Sequence, residues 1–483
     1  MSLTISSPVL SADDPVPADR RRTELLMLLF AIVIVAFAYA SVGFGLKGRL
    51  PSGLFLYVGA FAVIVLAAHL TVRRFAPYAD PLLLPLAALL NGLGVVMTYR
   101  LIQAGRNGNP GCNCGTSGTL FVPMSTSATL YQILYTAIGV GCFVGVLALI
   151  REPRTLQRYT YTFGAIGVFL IALPALLPSS ISAVPGTGAK IQIRLGTFTT
   201  QPEEFAKLAL AVFFAGYLVA KRDVLALAGR RVLGIDLPRA RDLGPILVIW
   251  GVSLLLLVSE SDIGTSAIFM GLFVAVLYIA TSRTSWLLIG FLMFVVGAVV
   301  MSKLFSHVGE RFDIWLHPYT ATNIQDHSFQ LVKGLEGLGS GGLLGKGLGA
   351  GAPYYTPLAQ SDFVFTAFGE ELGLAGLMAL LLVYGLISER GMRTALLVKD
   401  PFSKLLAGGL SFMLALQVFV IVGGVTRLIP LTGITTPFLS QGGSSLISSW
   451  IVIALLARLS DTARRPAPRP IQDEGLTQVV RLE

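Results

Sequence analysis

The chain has 483 residues, of which 54% are hydrophobic and 13% are charged, and its mean hydropathy is +0.75. Soluble domains carry about 25% charged residues, so this composition excludes a soluble globular protein. The formal net charge of +10 does not indicate nucleic-acid binding, because Lys and Arg lie in short loops between apolar runs without interleaved aromatic residues. That distribution is typical of orientation signals and of contacts with anionic membrane lipids.

Twelve apolar runs, each close to the ~20 residues that cross a bilayer, predict an all-α, polytopic integral membrane protein with about twelve transmembrane helices. The runs lie at about 24–43, 53–71, 80–102, 129–150, 158–178, 203–220, 243–258, 264–281, 284–303, 363–388, 403–427 and 441–458. The first run resembles a signal peptide, but its length predicts an uncleaved span.

The distribution of Lys and Arg predicts that both termini are cytoplasmic, because nearly all inner segments are then basic. With this orientation the inner segments are residues 20–22, 73–74, 151–158, 221–241, 282–284, 388–404 and 464–465. We expect a cytoplasmic N-terminal tail at 1–23 and a disordered cytoplasmic tail at 461–483, which is rich in Arg and Pro.

Three of the predicted outer loops are unusually long. The loop at about 103–128 contains Cys112 and Cys114, which lack the further Cys or His residues of a zinc site. A second loop lies at about 179–202. The third is a large extracytoplasmic loop at about 304–361, and its glycine-dense stretch at 334–351 favours a re-entrant or membrane-surface segment over a flexible linker.

Ionisable residues at membrane depth are costly and are therefore functional candidates. In the first such group, at 201–207, Pro202 predicts a helix start, and Glu204 and Lys207 share one helix face. The pattern fits a capped helix start with a local ion pair as well as it fits a functional pair. In the second group, at 260–265, Asp262 is typical of a tight turn.

The third group places Asp362 at the outer end of a span, directly before aromatic residues. Partial desolvation there raises the pKa of a carboxyl group and favours a general base, although Asp is also a common helix N-cap. Glu370 and Glu371, two turns deeper, are predicted to face protein or water. In the fourth group, Pro437 and paired glycines within 433–445 predict a broken, re-entrant turn that lines a cavity or is buried in protein.

These groups predict a membrane enzyme or transporter with an outward-facing polar cavity, and no nucleotide-binding or metalloprotease motif is present. Together and in order they resemble the motifs of the SEDS family of RodA/FtsW-like proteins. The matching segments are 201–207 (Gln-Pro-x-Glu-x-x-Lys), 261–265 (Asp-x-Gly-Thr), 339–347 (Gly-Ser-Gly-Gly-Leu-x-Gly-Lys-Gly), 361–373 (Asp-Phe-x-Phe with Glu-Glu-Leu-Gly) and 437–445 (Pro-Phe-x-Ser-x-Gly-Gly-Ser-Ser). One departure is Glu203, where the family has Ser.

The resemblance implies a SEDS-like ten-helix core at 76–460. Residues 24–75 then form two additional N-terminal transmembrane helices, an extension that resembles actinobacterial members of the RodA type. It also implies an inverting peptidoglycan glycosyltransferase that polymerises lipid II on the outer face of the cytoplasmic membrane during cell elongation. The partner implied is a class B penicillin-binding protein that crosslinks the strands.

The family's catalytic aspartate matches Asp362, and its buried acidic and basic residues match Glu204 and Lys207. The lipid-diphosphate donor already has a good leaving group, so Asp362 is expected to act as the general base. The further substrate-binding candidates are Gln201, Lys190, Arg194, Lys346, Asp262 and Ser444. No dedicated metal-ligand set is visible, although a divalent cation (Mg²⁺ or Mn²⁺) could share the binding of the diphosphate. The alternative functions are a lipid II flippase or other transporter, and a structural scaffold.

Overall fold

The computed structural model describes residues 18–51, 53–106, 128–183, 190–195, 198–226, 230–232, 235–237, 248, 251, 262–320 and 328–466. Within these ranges the regular secondary structure is helical apart from two short hairpins. In chain order the helices are α1 (Ala18–Lys47), α2 (Leu54–Phe75), α3 (Leu83–Arg106), α4 (Ala128–Leu149), α5 (Arg154–Gln157), α6 (Thr160–Leu176), α7 (Ser179–Ser182), α8 (Glu203–Ala226), α9 (Ile263–Thr281), α10 (Ser285–Leu304), α11 (Ser306–Leu316), α12 (Phe329–Gly341), α13 (Val364–Leu397), α14 (Pro401–Val425) and α15 (Gly443–Arg464), with a 3₁₀ turn at Pro353–Tyr355.

Two antiparallel hairpins complete the described secondary structure. Strand β1 (Ile193–Leu195) pairs with β2 (Phe198–Thr200) in the register Arg194 to Thr199, directly before α8. Strand β3 (Arg230–Val232) pairs with β4 (Ile235–Leu237) in the register Arg231 to Asp236. The first hairpin lies in the predicted outer loop at 179–202 and leads the chain into the helix that carries Glu204.

Nine of the described helices are long and apolar enough to cross a membrane: α1, α2, α3, α4, α9, α10, α13, α14 and α15. The apolar helices α6 and α8 coincide with two further predicted runs. The prediction of a polytopic, all-α membrane protein is therefore confirmed. The run at 243–258 lies almost entirely outside the described residues, as do the loop with Cys112 and Cys114 and the end of the chain after residue 466.

Burial separates central from peripheral helices. In α15 and α3, 89% and 78% of the most apolar window is buried inside the protein, whereas the corresponding share in α10 is 6%. The exposed side of α10 carries large apolar side chains such as Leu288 and Phe291. Since lipid solvates such side chains as well as protein does, the peripheral helices need only a narrow packed face.

Two helix ends differ from the sequence-based boundaries. Helix α1 begins at Ala18 instead of residue 24, and α15 continues to Arg464 instead of ending at 460. The second extension follows from buried charge pairing: Arg464 lies 2.5 Å from Asp80, and the backbone N–H of Tyr78 donates to Asp461 at 2.9 Å. These partners hold the last turn of α15 against the loop before α3, so the first residues of the predicted disordered tail are helical.

The N-terminal extension is packed onto the rest of the bundle. Helix α1 packs against α3, and α2 packs against α4. The ring of Tyr39 stacks on that of Tyr99 with 4.4 Å between centroids, and a buried His69–Glu24 pair at 2.7 Å joins α1 to α2. The two additional helices are therefore integral parts of one packed structure.

Candidate active site

Three carboxyl groups from different parts of the chain meet at one end of the bundle. Asp262 precedes α9 and caps it, accepting a hydrogen bond from the N–H of Thr265 at 2.8 Å. Glu203, the first residue of α8, lies beside Asp262, so the two carboxyl groups interact. The turn predicted around Asp262 is thus also part of an acidic cluster.

Asp362 lies beside this cluster, in the loop that leads into α13. Burial raises the pKa of its carboxyl group from 3.8 to about 6, since the charged form is poorly solvated. The hydrogen bond with Ser361 and the charge of Arg311 lower the pKa, whereas the carboxylate of Asp262 raises it. With a pKa of about 6, Asp362 is ionised at neutral pH yet more basic than an ordinary aspartate.

The alternative interpretation of Asp362 as a helix cap is wrong. The capping position of α13 is occupied by Phe363, and no side chain caps the first turn of this helix. The carboxylate of Asp362 is left available for another role.

Arg311 faces Asp362 across a glycine. A Cβ atom added to Gly433 would lie 3.5 Å from Nη1 of Arg311 and 3.7 Å from Oδ2 of Asp362. The backbone of Gly433 has φ = +72°, a conformation that favours glycine. Arg311 also donates to the carbonyl of Leu431 at 3.0 Å, so it is held close to the carboxylate.

The sequence-based predictions missed Arg311, and its helix carries the signal that points to it. Helix α11 is amphipathic and lies within the long loop at 304–361 that is predicted to be extracytoplasmic. Trp315 donates from its indole N–H to the carbonyl of Arg427 at 3.1 Å, and Arg427 donates back to the carbonyl of Trp315 at 2.8 Å. This reciprocal pair fixes α11 on the connection between α14 and α15.

The second polar centre is the predicted ion pair of Glu204 and Lys207, which are separated by 2.7 Å and are both buried. Lys207 also donates to Oε1 of Gln417 at 2.9 Å, and the hydroxyl of Ser448 donates to Glu204 at 2.8 Å. Gln417 and Ser448 were not predicted. For Gln417, an amide within the apolar run at 403–427 was the available signal.

The segment at 433–445 connects the carboxyl cluster around Asp362 to the Glu204–Lys207 pair. The prediction that this segment is broken and buried in protein is confirmed. Gln417, which binds Lys207, also donates to the carbonyl of Thr435 at 3.1 Å. The N–H of Gln441 donates to the carbonyl of Gln360 at 2.8 Å. The segment is thus bonded both to the helix that reaches the ion pair and to the loop that carries Asp362.

The end of this segment also joins two helix starts. The N–H of Gln201 donates to the hydroxyl of Ser444 at 3.1 Å, which ties the start of α8 to the start of α15. Three further hydroxyls of this region are buried without a hydrogen-bond partner among the described residues, and they belong to Thr435, Thr436 and Ser445.

The glycine-rich segment at 342–351 packs against helix α13 at a point where the helix is interrupted. This break lies at Gly373, where φ is +68°, and the N–H groups of Leu374 and Ala375 donate to the carbonyls of Gly342 and Leu343 at 2.9 and 3.0 Å. A Cβ atom on Gly373 would lie 2.3 Å from the backbone N of Gly345. The segment is therefore docked on a helix by its backbone, which is not the arrangement of a flexible linker.

Glu370 and Glu371 are buried and paired within the protein, as predicted. Lys346 lies 3.0 Å from Glu370, and Arg100 of α3 lies 2.6 Å from Glu371. The Arg100–Glu371 pair is almost fully buried, and removing one partner of such a pair typically costs about 3–5 kcal/mol. These contacts fix the glycine-rich segment to the bundle.

Three of the predicted cationic site residues are engaged elsewhere. Lys190 donates to the carbonyl of Leu177 at 3.2 Å, Arg194 donates to that of Ala183 at 2.5 Å, and Lys346 is paired with Glu370. Within the described ranges, no hydrogen bond or ion pair joins any of the three to Asp362. The arrangement thus brings together Asp362, Asp262 and Arg311, and close to them the Glu204–Lys207 pair, Gln201 and Ser444.

The sequence did not decide whether the protein binds a divalent cation. Among the residues that the structure describes, no group of three or more His, Cys, Asp or Glu side chains is arranged to hold a metal ion. The chemistry available at this site is that of a basic carboxylate beside a guanidinium group, with a buried lysine nearby.

Known proteins resemble this chain along most of its length. A family model described as cell cycle protein, covering FtsW, RodA and SpoVE, matches residues 81–465. The peptidoglycan glycosyltransferase RodA of Mycobacterium tuberculosis is 44% identical over 470 residues, which cover 96% of this chain and 95% of the relative. A probable peptidoglycan glycosyltransferase FtsW of Geobacter sp. is 30% identical over 403 residues, covering 82% and 100% of the two chains.

One solved structure shares the fold. It comes from a study of the structural coordination of polymerization and crosslinking by a peptidoglycan synthase complex. The two chains are 23% identical and superimpose with a TM-score of 0.52, with 85% of this chain and 98% of the other covered. The region matched by the family model begins after α2, so both additional helices lie outside it.

Proposed function

We propose that this chain, which belongs to the FtsW/RodA/SpoVE family of cell cycle proteins, is a peptidoglycan glycosyltransferase that polymerises lipid II on the outer face of the cytoplasmic membrane during cell elongation. It is a multi-pass membrane protein. The observation that carries the proposal is the basic, half-buried Asp362 that faces Arg311 at the mouth of the bundle. The similarity to proteins named as glycosyltransferases supports the reaction, and this geometry supports Asp362 as the group that performs it.

The proposed reaction is a single displacement with inversion. Asp362 takes the proton of the acceptor's 4-hydroxyl group, and the oxygen forms a bond to the anomeric carbon of the donor sugar. The bond from that carbon to the lipid diphosphate breaks, and its electron pair leaves with the diphosphate. An inverting glycosidase also needs an acid because its leaving group is poor, whereas a diphosphate leaves without one. Asp362 then releases its proton to water.

Positive charge is needed where the diphosphate departs, because charge-assisted hydrogen bonds stabilise developing negative charge. Arg311 is the cation nearest Asp362 for which a contact is described, and Lys207 lies buried beside Glu204. We assign these two to the diphosphate first. Lys190, Arg194 and Lys346 remain proposed contacts, each of which must leave its present partner to bind substrate.

Gln201, Asp262 and Ser444 are proposed to shape the cavity. Their contacts hold the starts of α8, α9 and α15, so they position the groups that meet the substrate. A bound Mg²⁺ or Mn²⁺ ion would add positive charge for the diphosphate, but the described part of the chain does not form its ligand set. No step of the proposed reaction depends on it.

A lipid II flippase is the alternative function. The structure adds a second broken element, at Gly373 of α13, to the predicted one at 433–445. Transporters built from inverted repeats carry such breaks at matching positions in two halves, whereas both breaks here lie in the last third of the chain. The relatives named as glycosyltransferases also favour polymerisation over transport.

The partner is proposed to be a class B penicillin-binding protein, since a glycan strand must be crosslinked after polymerisation. The structural neighbour belongs to a complex that coordinates polymerization and crosslinking. Both termini are proposed to be cytoplasmic. This orientation is supported by the contact of Arg464 with Asp80, which places the end of α15 at the same side as the basic residues Arg73 and Arg74.

The proposed function is tested with the purified protein, alone and with its partner. In nanodiscs supplied with lipid II we expect glycan polymer, separated by length on a gel. In vesicles that carry lipid II in the inner leaflet only, a flippase would expose lipid II on the outside without polymer. Translocation without polymer, with the partner present, would contradict the proposal.

A pH profile tests the environment assigned to Asp362. Because the base must be ionised, activity is lost as pH falls through its pKa of about 6. Replacing Arg311 with Gln removes the positive charge that lowers this pKa, so we expect the acidic limb of kcat/KM to move to higher pH. The measurement is polymerisation of lipid II from pH 5 to 9. A limb that stays in place, or moves to lower pH, would show that Arg311 does not act on the base.

A further inference from the structure

Helix α1, the first of the two helices that precede the family region, touches the glycine-rich segment of the long loop before α13. Near its end, α1 meets the glycine-rich segment at 342–351, which carries Lys346. We propose that α1 braces this segment through a direct contact of two glycine backbones, Gly45 and Gly349, and thereby positions Lys346. The role of Lys346 in this inference rests on the proposed function, whereas the contact itself does not.

The contact between Gly45 and Gly349 leaves no room for a side chain on either residue. A Cβ atom on Gly45 would lie 2.6 Å from the carbonyl oxygen of Leu348 and 3.1 Å from the Cα of Gly349. A Cβ atom on Gly349 would lie 2.8 Å from the carbonyl oxygen of Val42 and 3.2 Å from the Cα of Gly45. Since the atoms met are all backbone, neither chain can yield by changing a rotamer.

The other support of the segment is helix α13. The N–H groups of Lys346 and Gly347 donate to the carbonyls of Glu370 and Glu371 at 3.1 and 2.9 Å, and that of Gly349 donates to the Glu371 carboxylate at 3.2 Å. Gly349 is thus held by α13 through its N–H and by α1 through its Cα. The segment lies between the two helices, with Lys346 close to the point of contact.

Helix α1 is anchored well enough to act as a support. Lys47, at its end, donates to Gln103 of α3 at 2.9 Å. One turn earlier on α3, Arg100 bonds both the Glu371 carboxylate and the carbonyl of Gly351, the latter at 2.7 Å. Helices α1 and α3 therefore hold the same segment, α1 at Gly349 and α3 at Gly351.

The test replaces Gly45 with Val in the full chain and measures two quantities in nanodiscs. The first is hydrogen exchange of the amides at 342–351, which we expect to become faster. The second is the KM for lipid II, which we expect to rise about tenfold, at the low end of what one charge-assisted hydrogen bond contributes. We expect kcat to change less, because Asp362 lies on a different part of the loop.

Gly59 provides the matched control. It lies on α2 of the same extension, and a Cβ atom there meets nothing within 4 Å, so Gly59→Val should leave exchange and KM unchanged. Gly45→Ala, which still brings a Cβ too close to Leu348, serves if the valine variant does not fold. Unchanged exchange at 342–351 in a folded Gly45 variant would overturn the brace, while a wild type that makes no polymer would overturn the proposed function instead.

Discussion

Replacing Asp362 with Asn is expected to lower the rate of lipid II polymerisation by about 10²–10⁴-fold, the usual contribution of a general base. The amide keeps the shape of the side chain but cannot accept the proton of the attacking hydroxyl group. Because the pKa of Asp362 is raised by burial and its carboxylate does not cap α13, the substitution should not destabilise the fold. The measurement compares polymerisation, lipid II binding and thermal unfolding with those of the wild type.

The control for this variant is Asp313→Asn. Asp313 lies on α11, in the same long loop at 304–361, and its side chain is 58% exposed. We expect this variant to polymerise as the wild type does. If Asp362→Asn also keeps its full rate, Asp362 is not the base and the proposed mechanism is wrong.

Replacing Lys207 with Met is expected to lower the free energy of unfolding by about 3–5 kcal/mol, because it leaves a buried carboxylate without its countercharge. Glu204 would keep only the hydroxyl of Ser448, at 2.8 Å. Gln417 would lose the ammonium group that donates to it. Thermal unfolding in detergent measures the loss.

The double variant Lys207→Met with Glu204→Gln separates a structural role from a functional one. It removes both charges, so most of the stability should return. If the pair also binds the diphosphate, polymerisation stays low in the stable double variant. Full recovery of polymerisation would restrict Glu204 and Lys207 to a structural role.

Features that depend on neighbours in sequence could be predicted. Pro202 marks the start of α8, and the spacing of Glu204 and Lys207 places them on one face, where they pair. The apolar runs likewise give the described membrane helices, since a span is set by local composition and length. The burial of Glu370 and Glu371 follows from the cost of exposing a carboxylate to lipid.

Features that depend on distant partners could not be predicted. Arg100 and Glu371 are separated by 271 positions, and nothing local to either residue indicates the other. Arg311 meets Asp362 only because α11 is fastened to the connection between α14 and α15. Lys190 and Arg194 were predicted to bind the diphosphate, but in the structure they donate hydrogen bonds to the carbonyls of Leu177 and Ala183.

The most direct test of the central claim is the pH dependence of kcat/KM for lipid II polymerisation by the wild type and by Asp362→Asn. A base with a pKa of about 6 predicts that the wild-type rate falls below that pH. We expect the variant to be slow at every pH and to lack this acidic limb. A variant that retains both the rate and the limb of the wild type would contradict the assignment of Asp362 as the general base.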